Sequence, residues 1–369
     1  MAHNPKRLSR LRAVMSEQGI DVLYVRELSN ISWATGFERV FDDEPAHALV
    51  VSARNCVLHT DSRYFDAMKS AAADTDIEVD NSRMAHSAVL AKVSDCIDGD
   101  IVRVGIEDSM PLAEYHALQR TFEGGAIDLV ELSGFVEELR QVKDESEITA
   151  MRKAQSITDA AFANIIAFMK PGMTEREVQL QLDRYMYEGG AEGLAFGTIV
   201  ATGAHAASPH AIPGETKLAF GDVVVMDFGA RYAGYCSDMT RTVFVGEPSD
   251  EARRAYGAIR RANEECEAML RAGLSGADVH QHAEAVLEEE GFGGAMGHSL
   301  GHSVGIDIHE APNLSSRNPK ALCAGNVVTV EPGIYLTGKF GMRLEDYGVV
   351  RDTSYEVFTQ STHEMIIIS

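Results

Sequence analysis

Apolar and polar residues alternate in short blocks over the first third of the chain. Short runs rich in β-branched residues predict strands at Asp21–Val25, Ala48–Val51 and Cys56–His59. A stretch with helical spacing of its apolar residues predicts a helix over Arg63–Ala73. Strands that alternate with helices in this way predict an α/β arrangement for this part of the chain.

A long helical pattern then indicates a second domain. Apolar residues recur at helical spacing through Lys143–Lys170, and Pro171–Gly172 is expected to end that helix. The next helix is predicted to begin at Thr174, because Glu177 three positions later completes a capping-box signature. Gly189–Gly190 is expected to end it.

Two more helices are predicted further along, over Asp250–Ala272 and Ala277–Glu290. The chain has 369 residues, which is more than one compact domain usually holds. We therefore predict two domains, 1–137 and 138–369.

The charge balance restricts the partners of the protein. Lys and Arg together number 33 against 56 for Asp and Glu, so the formal net charge is −23. An acidic surface repels phosphate backbones and anionic lipid headgroups. We therefore expect neither a nucleic-acid partner nor a membrane partner.

The cysteines indicate a reducing compartment. Five of them are scattered along the chain without a Cys-x-x-Cys pair, which argues against a disulfide framework and against a zinc ribbon. The sequence contains no apolar run long enough for a signal peptide or a membrane span. We expect a cytoplasmic protein.

An internal repeat supplies the first candidate chemistry. The segment Gly221–Gly229 recurs as Gly325–Gly333, and in each copy an apolar strand delivers one carboxylate at its end while a returning strand carries another. The four acids are Asp227 and Asp238 in the first copy and Glu331 and Glu345 in the second.

A carboxylate beside an apolar strand faces a large desolvation penalty, so each acid needs a counter-charge. Taken singly, the four acids could be half-exposed residues at strand ends, or could pair with Arg241 and Arg343. Taken together, their duplicated arrangement favours a pair of divalent ions about 3.5–4 Å apart, bridged by carboxylates.

Histidines between and before the two copies are further candidates. His298, His302 and His309 lie in a glycine-rich segment, which argues against a helical zinc pair. His302 and His309 are seven residues apart, so an extended chain would place them on opposite faces unless a bulge intervenes. His210 is predicted on a loop before the first copy. Each of these histidines could also be an ordinary structural residue.

Five segments, in the same order and spacing, resemble the M24 or pita-bread metallopeptidases, and among them the Xaa-Pro branch that contains aminopeptidase P and prolidase. The segments are Asp227–Gly229, Ser237–Thr242, Gly301–Glu310, Glu331–Tyr335 and Arg343–Asp346. Upstream, Asn30–Phe37 and Thr60–Tyr64 resemble the creatinase-type N-terminal domain. The resemblance implies an α/β creatinase-like domain over 1–137 and an α+β pita-bread catalytic domain over 138–369 with an internal pseudo-two-fold.

The resemblance also implies roles for particular residues. The implied metal ligands are Asp227, Asp238, His302, Glu331 and Glu345, with Asp238 and Glu345 bridging both ions. Glu331 would in addition carry a proton from the attacking water to the leaving nitrogen. Manganese is the metal expected, although this donor set would also accept cobalt, iron or zinc.

Four further residues match positions of the family outside the ligand set. His210 and His309 would hydrogen-bond the substrate carbonyl and the developing oxyanion, while His298 and Arg343 would orient the ligands and balance their charge. Asn313 departs from several family dipeptidases, which carry Arg at this position. This difference weakly favours longer peptides over dipeptides.

The function implied is removal of the N-terminal residue before proline from short peptides, by a homodimer or higher homo-oligomer. One alternative is a creatinase-like amidinohydrolase, which needs no metal. Another is a non-catalytic pita-bread module that binds proteins. The intact set of five ligand positions speaks against the amidinohydrolase. Non-catalytic relatives have lost ligands, so the same five positions also discriminate against the binding module.

Overall fold

The computed structural model describes residues 5–37, 39–42 and 44–369. They form two compact units, one ending at Arg140 and the other comprising Gln141–Ser369. Residues 1–4, where the first predicted domain begins, lie outside the described residues. Within the described ranges, no helix combines the length and the apolar character that crossing a membrane requires.

The first unit has the α/β arrangement that the sequence predicts. Its described residues form one six-stranded mixed sheet with helices packed against it. Its strands are β1 (Val22–Val25), β2 (Ala48–Ser52), β3 (Cys56–His59), β4 (Glu78–Asp80), β5 (Val102–Glu107) and β6 (Ile127–Leu132). Its helices are α1 (Pro5–Glu17), α2 (Leu28–Thr35), α3 (Phe65–Ala71), α4 (His86–Ser94), α5 (Leu112–Phe122) and α6 (Phe135–Arg140). The strand order is β4-β3-β2-β1-β5-β6.

The predicted strands of this unit are confirmed to within one residue at each end. The strands β1, β2 and β3 are buried along their whole length, because the apolar runs that predicted them occupy the middle of the sheet. The predicted helix at Arg63–Ala73 is observed as the shorter α3.

Four long helices frame the second unit. They are α7 (Glu145–Phe168), α8 (Glu175–Glu188), α9 (Asp250–Met269) and α10 (Gly276–Glu289), and a 3-10 helix spans Gly203–Ala207. The capping box that the sequence predicts at Thr174 is present, with Glu177 accepting from the Thr174 backbone. The helix α7 starts later than predicted because Asp144 is its N-cap, which leaves Lys143 outside the helix.

The strands of the second unit are short and mostly antiparallel. They are β7 (Gly193–Leu194), β8 (Ile199–Thr202), β9 (Val223–Phe228), β10 (Ala230–Tyr232), β11 (Tyr235–Cys236), β12 (Met239–Val245), β13 (Gly301–Ser303), β14 (Glu310–Leu314), β15 (Val327–Val330), β16 (Gly333–Leu336), β17 (Phe340–Arg343), β18 (Asp346–Val350), β19 (Tyr355–Val357) and β20 (Ile366–Ile368). The two largest sheets have the orders β20-β12-β9-β8 and β14-β13-β15-β18-β19.

Each copy of the sequence repeat forms an antiparallel strand pair that packs under a helix pair. In the first copy β9 pairs with β12, and residues of α7 and α8 pack against both strands. In the second copy β15 pairs with β18, and residues of α9 and α10 pack against this pair. Within the second unit, the internal pseudo-two-fold therefore relates two copies of the same strand-pair and helix-pair arrangement. Each copy presents its acids at strand ends.

Candidate active site

A cavity of about 480 Å³ lies within the second unit, and all nine candidate residues from the sequence line it. They are His210, Asp227, Asp238, His298, His302, His309, Glu331, Arg343 and Glu345. The remaining lining residues include the apolar side chains of Phe196, Ile199, Pro209 and Ile308. The cavity is therefore polar and acidic where the repeat copies meet, with apolar side chains around it.

The four acids come from the ends of the two strand pairs. Asp227 is the next-to-last residue of β9, and Asp238 directly precedes β12. Glu331 directly follows β15, and Glu345 directly precedes β18. Because strand ends carry the acids, each backbone ladder fixes where its carboxylates emerge.

The distances place the acids and His302 in one cluster. Ligating atoms of Asp238, His302 and Glu345 all lie within 4.8 Å of one another. His302 Nε2 is 3.4 Å from Asp238 Oδ2 and 3.5 Å from Glu331 Oε1. One small cation could therefore contact several of these side chains at once.

Burial and mutual repulsion dominate the electrostatics of the cluster. Burial raises the pKa of Asp238 well above its ordinary value, and the charges of Glu345 and Asp227 raise it further. Burial likewise raises the pKa of Glu345 well above its ordinary value, and that of Glu331 to about 7. These carboxylates are unstable together as anions unless positive charge is supplied.

The imidazole of His302 is neutral and has a fixed tautomer. Burial lowers its pKa to about 4, so it carries no proton charge at neutral pH. Its Nδ1 lies 3.2 Å from the Ser303 carbonyl, which can only accept, so Nδ1 carries the hydrogen. The Nε2 lone pair therefore faces Asp238 and Glu331.

The donor set fits divalent cations. Asp227 Oδ1 is buried, and no described residue donates a hydrogen bond to it. Among the described residues that line the cavity, Arg343 is the one with a permanent positive charge, against four carboxylates. Carboxylate oxygens with one neutral imidazole are ligands suited to manganese, iron, cobalt or zinc.

The alternative in which arginines pair with the acids holds for one of the two arginines. Arg343 Nη2 donates to Asp227 Oδ2 at 2.5 Å. Arg241 instead donates to Asp346 Oδ1 at 2.7 Å and to the Glu345 backbone carbonyl at 2.6 Å. Arg241 therefore holds the backbone at Glu345 and pairs with Asp346, so it forms no ion pair with the Glu345 carboxylate.

A directed hydrogen-bond chain links Arg343 to His298. Arg343 Nη1 donates to the Tyr335 hydroxyl at 2.7 Å, so this hydroxyl is left to donate to His298 Nε2 at 3.2 Å. His298 Nδ1 in turn donates to the Ser299 carbonyl at 2.7 Å. Each donor and acceptor in the chain has one consistent role, which fixes the orientation of the His298 ring.

His302 and His309 lie on the same side of the cavity, with ring centroids 4.4 Å apart in an edge-to-face arrangement. The register of β13 against β14 shifts between Gly301 and Ser303. Residues 304–309 connect these two antiparallel strands through a series of bends, and this connection supplies the bend that a seven-residue separation requires. Asn313, at the position of the family arginine, also lines the cavity.

Sequence reasoning missed several residues that hold the site. Thr240 Oγ1 donates to Glu345 Oε2 at 2.7 Å and accepts from Arg343 Nε at 2.9 Å. Tyr335 is part of the hydrogen-bond chain from Arg343 to His298. Thr240 and Tyr335 lie inside the segments Ser237–Thr242 and Glu331–Tyr335, where the alternation of side chains along a strand is the signal that could have indicated them.

Lys143 was missed because a lysine at the start of a predicted helix is expected in solvent. Its side chain is instead buried, and Nζ lies 3.0 Å from Glu310 Oε2 and 3.3 Å from Ser303 Oγ. These two partners are the chain neighbours of His309 and His302. Lys143 therefore supports the segment that carries both histidines.

Comparison with known proteins gives two family matches. The model of metallopeptidase family M24 matches residues 149–352, and that of the creatinase/prolidase N-terminal domain matches residues 7–142. The uncharacterized peptidase YqhT of Bacillus subtilis is 34% identical over 365 residues, which is 98% of this chain and 100% of that protein.

Solved structures give the same picture. An Xaa-Pro dipeptidase from Bacillus anthracis superposes with a TM-score of 0.90 at 35% identity, covering 98% of this chain and 99% of that one. An X-Pro aminopeptidase from Thermotoga maritima has a TM-score of 0.87 at 34% identity, covering 98% and 100%.

Proposed function

We propose that this chain, which belongs to metallopeptidase family M24 and is an enzyme, hydrolyses the Xaa-Pro bond at the N-terminus of short peptides with two divalent ions. The observation that carries the proposal is the cluster of four mutually repelling carboxylates and one neutral imidazole in a single cavity. The similar structures described as Xaa-Pro peptidases support the choice of bond.

The proposed ligands are Asp227, Asp238, His302, Glu331 and Glu345. When bound, divalent ions supply polarisation of the scissile carbonyl and bring the pKa of water toward neutrality. Manganese is the ion we propose, with cobalt, iron and zinc as alternatives that the donor set also suits.

Glu331 is proposed to move the proton that hydrolysis releases. Its Oε1 accepts from Thr329 Oγ1 at 3.2 Å, which fixes the plane of the carboxyl group. The group lines the cavity, where it can reach both the attacking water and the nitrogen that leaves. Hydrolysis needs that transfer because the proline nitrogen has to be protonated before it departs.

His210 and His309 are proposed to contact the substrate. Both line the cavity. An imidazole N–H that donates to the carbonyl oxygen stabilises the charge that develops there during attack. His298 and Arg343, joined through Tyr335, orient the acidic side of the site and do not need to touch the reacting atoms.

Proline at the second position of the substrate explains the need for a dedicated cavity. Its amide nitrogen carries no hydrogen, so a peptidase cannot bind it through the usual extended backbone pairing. The apolar side chains of Phe196, Ile199 and Ile308 suit the pyrrolidine ring, because contact with them requires no N–H donor from the substrate. The substrate's free amino group is cationic and is attracted to the acidic side of the cavity.

The non-catalytic module is excluded, because the chain is an enzyme of this family. A creatinase-like amidinohydrolase needs no metal. Without metal ions, the four carboxylates that line the cavity would be balanced among the described lining residues by the Arg343 guanidinium alone, which argues against this alternative. The homodimer or higher oligomer and the cytoplasmic location that the sequence predicts stay predictions.

A peptide panel tests the function. With manganese-loaded protein we expect rapid cleavage of Ala-Pro-Ala and Ala-Pro, little cleavage of Ala-Ala-Ala, and none of an N-acetylated Ala-Pro-Ala. Because Asn313 supplies no positive charge for a dipeptide carboxylate, Ala-Pro-Ala should be at least as good a substrate as Ala-Pro. Preference for Met-Ala-Ser with Xaa-Pro peptides untouched would overturn the proposal.

Replacing either substrate histidine should separate turnover from metal binding. His210→Ala and His309→Ala are expected to lower kcat by roughly 10²-fold, the scale of losing one oxyanion donor. Metal content, measured by elemental analysis of the purified variants, should equal that of the unmodified enzyme. Loss of metal from either variant would show that its histidine is a ligand and has been assigned wrongly.

A further inference from the structure

The loop between β8 and β9 places His210, the histidine proposed to contact the substrate, in the wall of the cavity. It leaves β8 after Thr202, passes through the 3-10 helix Gly203–Ala207, and carries Pro209 and His210 to the cavity wall. A loop of this length needs anchors on both sides of His210 if that side chain is to keep one position.

One buried carboxylate supplies both anchors. Glu175, the first residue of α8, has no exposed surface. Its Oε1 accepts from the backbone N–H of Thr202 at 2.9 Å and lies 2.8 Å from His205 Nδ1. Its Oε2 accepts from the backbone N–H of Gly214 at 3.0 Å. The two oxygens thus bind the chain on both sides of His210, at the start of the loop and its 3-10 helix and again at Gly214.

The helix that carries this carboxylate is itself firmly held. A capping box closes its N-terminus, and Val178 and Leu182 are buried in the core beneath β9 and β12. The backbone N–H groups of Glu175 and Arg176 donate to the carbonyls of Thr216 and Gly214, both at 3.0 Å. The loop segment that follows His210 is therefore fixed to α8 by backbone as well as by side chain.

Burial of the charge argues for a specific role. A carboxylate removed from water is tolerated only when hydrogen bonds replace its hydration, and the backbone N–H groups of Thr202 and Gly214 supply such bonds here. An acid that served only the dipole of α8 could remain in solvent, as first-turn acids usually do. Glu175 instead turns its carboxylate under the loop.

We propose that Glu175 is a positioning residue that sets the place of His210 by holding the chain on both sides of it, at Thr202 and His205 before it and at Gly214 after it. The proposal rests on the proposed function only in that His210 contacts substrate. It assigns no contact between Glu175 and the substrate or the metal ligands.

Glu175→Gln tests this with Glu177→Gln as the matched control on the same helical turn. The amide introduced by Glu175→Gln would present an N–H group to one of the two backbone N–H groups that now donate, so the chain is released on one side of His210. Glutamine in the control keeps the capping box. In the metal-loaded protein without substrate, we expect faster amide hydrogen exchange over residues 202–214 in Glu175→Gln and unchanged exchange in the control. Unchanged exchange in Glu175→Gln would overturn the proposal.

Activity adds a second readout. We expect Glu175→Gln to lower kcat by about tenfold with unchanged metal content, and to lower it less than about twofold when His210 is already replaced by alanine. A merely structural role would give the same loss in both backgrounds, and that result would overturn the proposal. If His210→Ala alone left kcat unchanged, the proposed role of His210 would fail, whereas the exchange data would still decide whether Glu175 holds the loop.

A second variant covers failure of Glu175→Gln to fold. His205→Ala removes one of the three contacts at a partly exposed position and leaves the carboxylate in place. We expect faster exchange over residues 203–210 and a loss of about threefold in kcat that disappears in the His210→Ala background. Unchanged exchange and unchanged kcat would overturn the proposal.

Discussion

An Asp238→Asn variant is expected to lose its divalent ions and its turnover together. Asp238 lies at the centre of the cluster, with His302 Nε2 3.4 Å from its Oδ2 and the charges of Glu345 and Asp227 acting on it. An amide of the same shape carries no negative charge with which to hold a divalent cation. We expect metal affinity and kcat to fall by more than about 10²-fold, since even outer partners of metal ligands act on the scale of 10–100-fold.

Elemental analysis and kcat for Ala-Pro-Ala measure the two effects. Asp183→Asn is the matched control, because Asp183 is also an acid whose pKa burial raises and it accepts from Thr198 Oγ1 at 2.6 Å without lining the cavity. The control should retain both metal and turnover. An Asp238→Asn enzyme that keeps two ions per chain and near-normal kcat would refute the ligand assignment.

The acidic half of the site could be read from the sequence because its determinants are local. A strand that ends in Asp227 or Glu331 places the carboxylate at the end of a ladder wherever the strand lies. The repeat then implies that two such ends meet. The helix caps are equally local, and the capping box at Thr174 is present as predicted.

Residues whose partners are distant in sequence could not be found in this way. Lys143 and Glu175 both stand at helix starts, where a charged residue is ordinarily solvated. Their partners lie 160 and 167 residues away for Lys143, and 27 to 39 residues away for Glu175. No periodicity along the chain carries such information, so tertiary packing alone shows that these charges are buried.

The pair His302 and His309 is an intermediate case, because the sequence indicates that a bend is needed but does not place it. The separation of His302 and His309 predicts opposite faces on a regular strand, and the sequence leaves a bulge open as the exception. In the structure the chain turns between β13 and β14 at residues 304–309, so the two histidines do not lie on one extended strand and their rings pack edge to face. Gly305 lies in this turn, but a glycine does not specify the direction in which the chain bends.

Removing the ions should abolish hydrolysis and make the stability of the protein fall as pH rises. In the metal-free protein the folded-state pKa of Glu331 is raised from 4.5 to about 7, and those of Asp238 and Glu345 are raised well above their ordinary values. Between the ordinary and the raised pKa, the folded state binds more protons than the unfolded state. The free energy of unfolding therefore decreases with rising pH across this window, which for Glu331 runs from about pH 4.5 to about pH 7.

The loaded protein should behave differently, because bound cations favour the ionised carboxylates and lower their pKa values again. At low pH the carboxyls become protonated and the ions dissociate, so the two forms converge. The difference in Tm between loaded and chelator-treated protein should therefore widen from pH 5 to pH 8. The expected widening is on the order of 5–10 °C in Tm.

Differential scanning calorimetry of loaded and chelator-treated protein at matched pH measures this gap, and the subtraction removes carboxyls and histidines that titrate equally in both forms. Metal-free Asp238→Asn should lose less stability with pH than the metal-free unmodified protein, because one of the repelling acids is absent. Metal-free Asp183→Asn should follow the unmodified protein, since Asp183 lies outside the cluster. A gap in Tm that stays constant from pH 5 to pH 8 would mean that these carboxylates do not hold the ions.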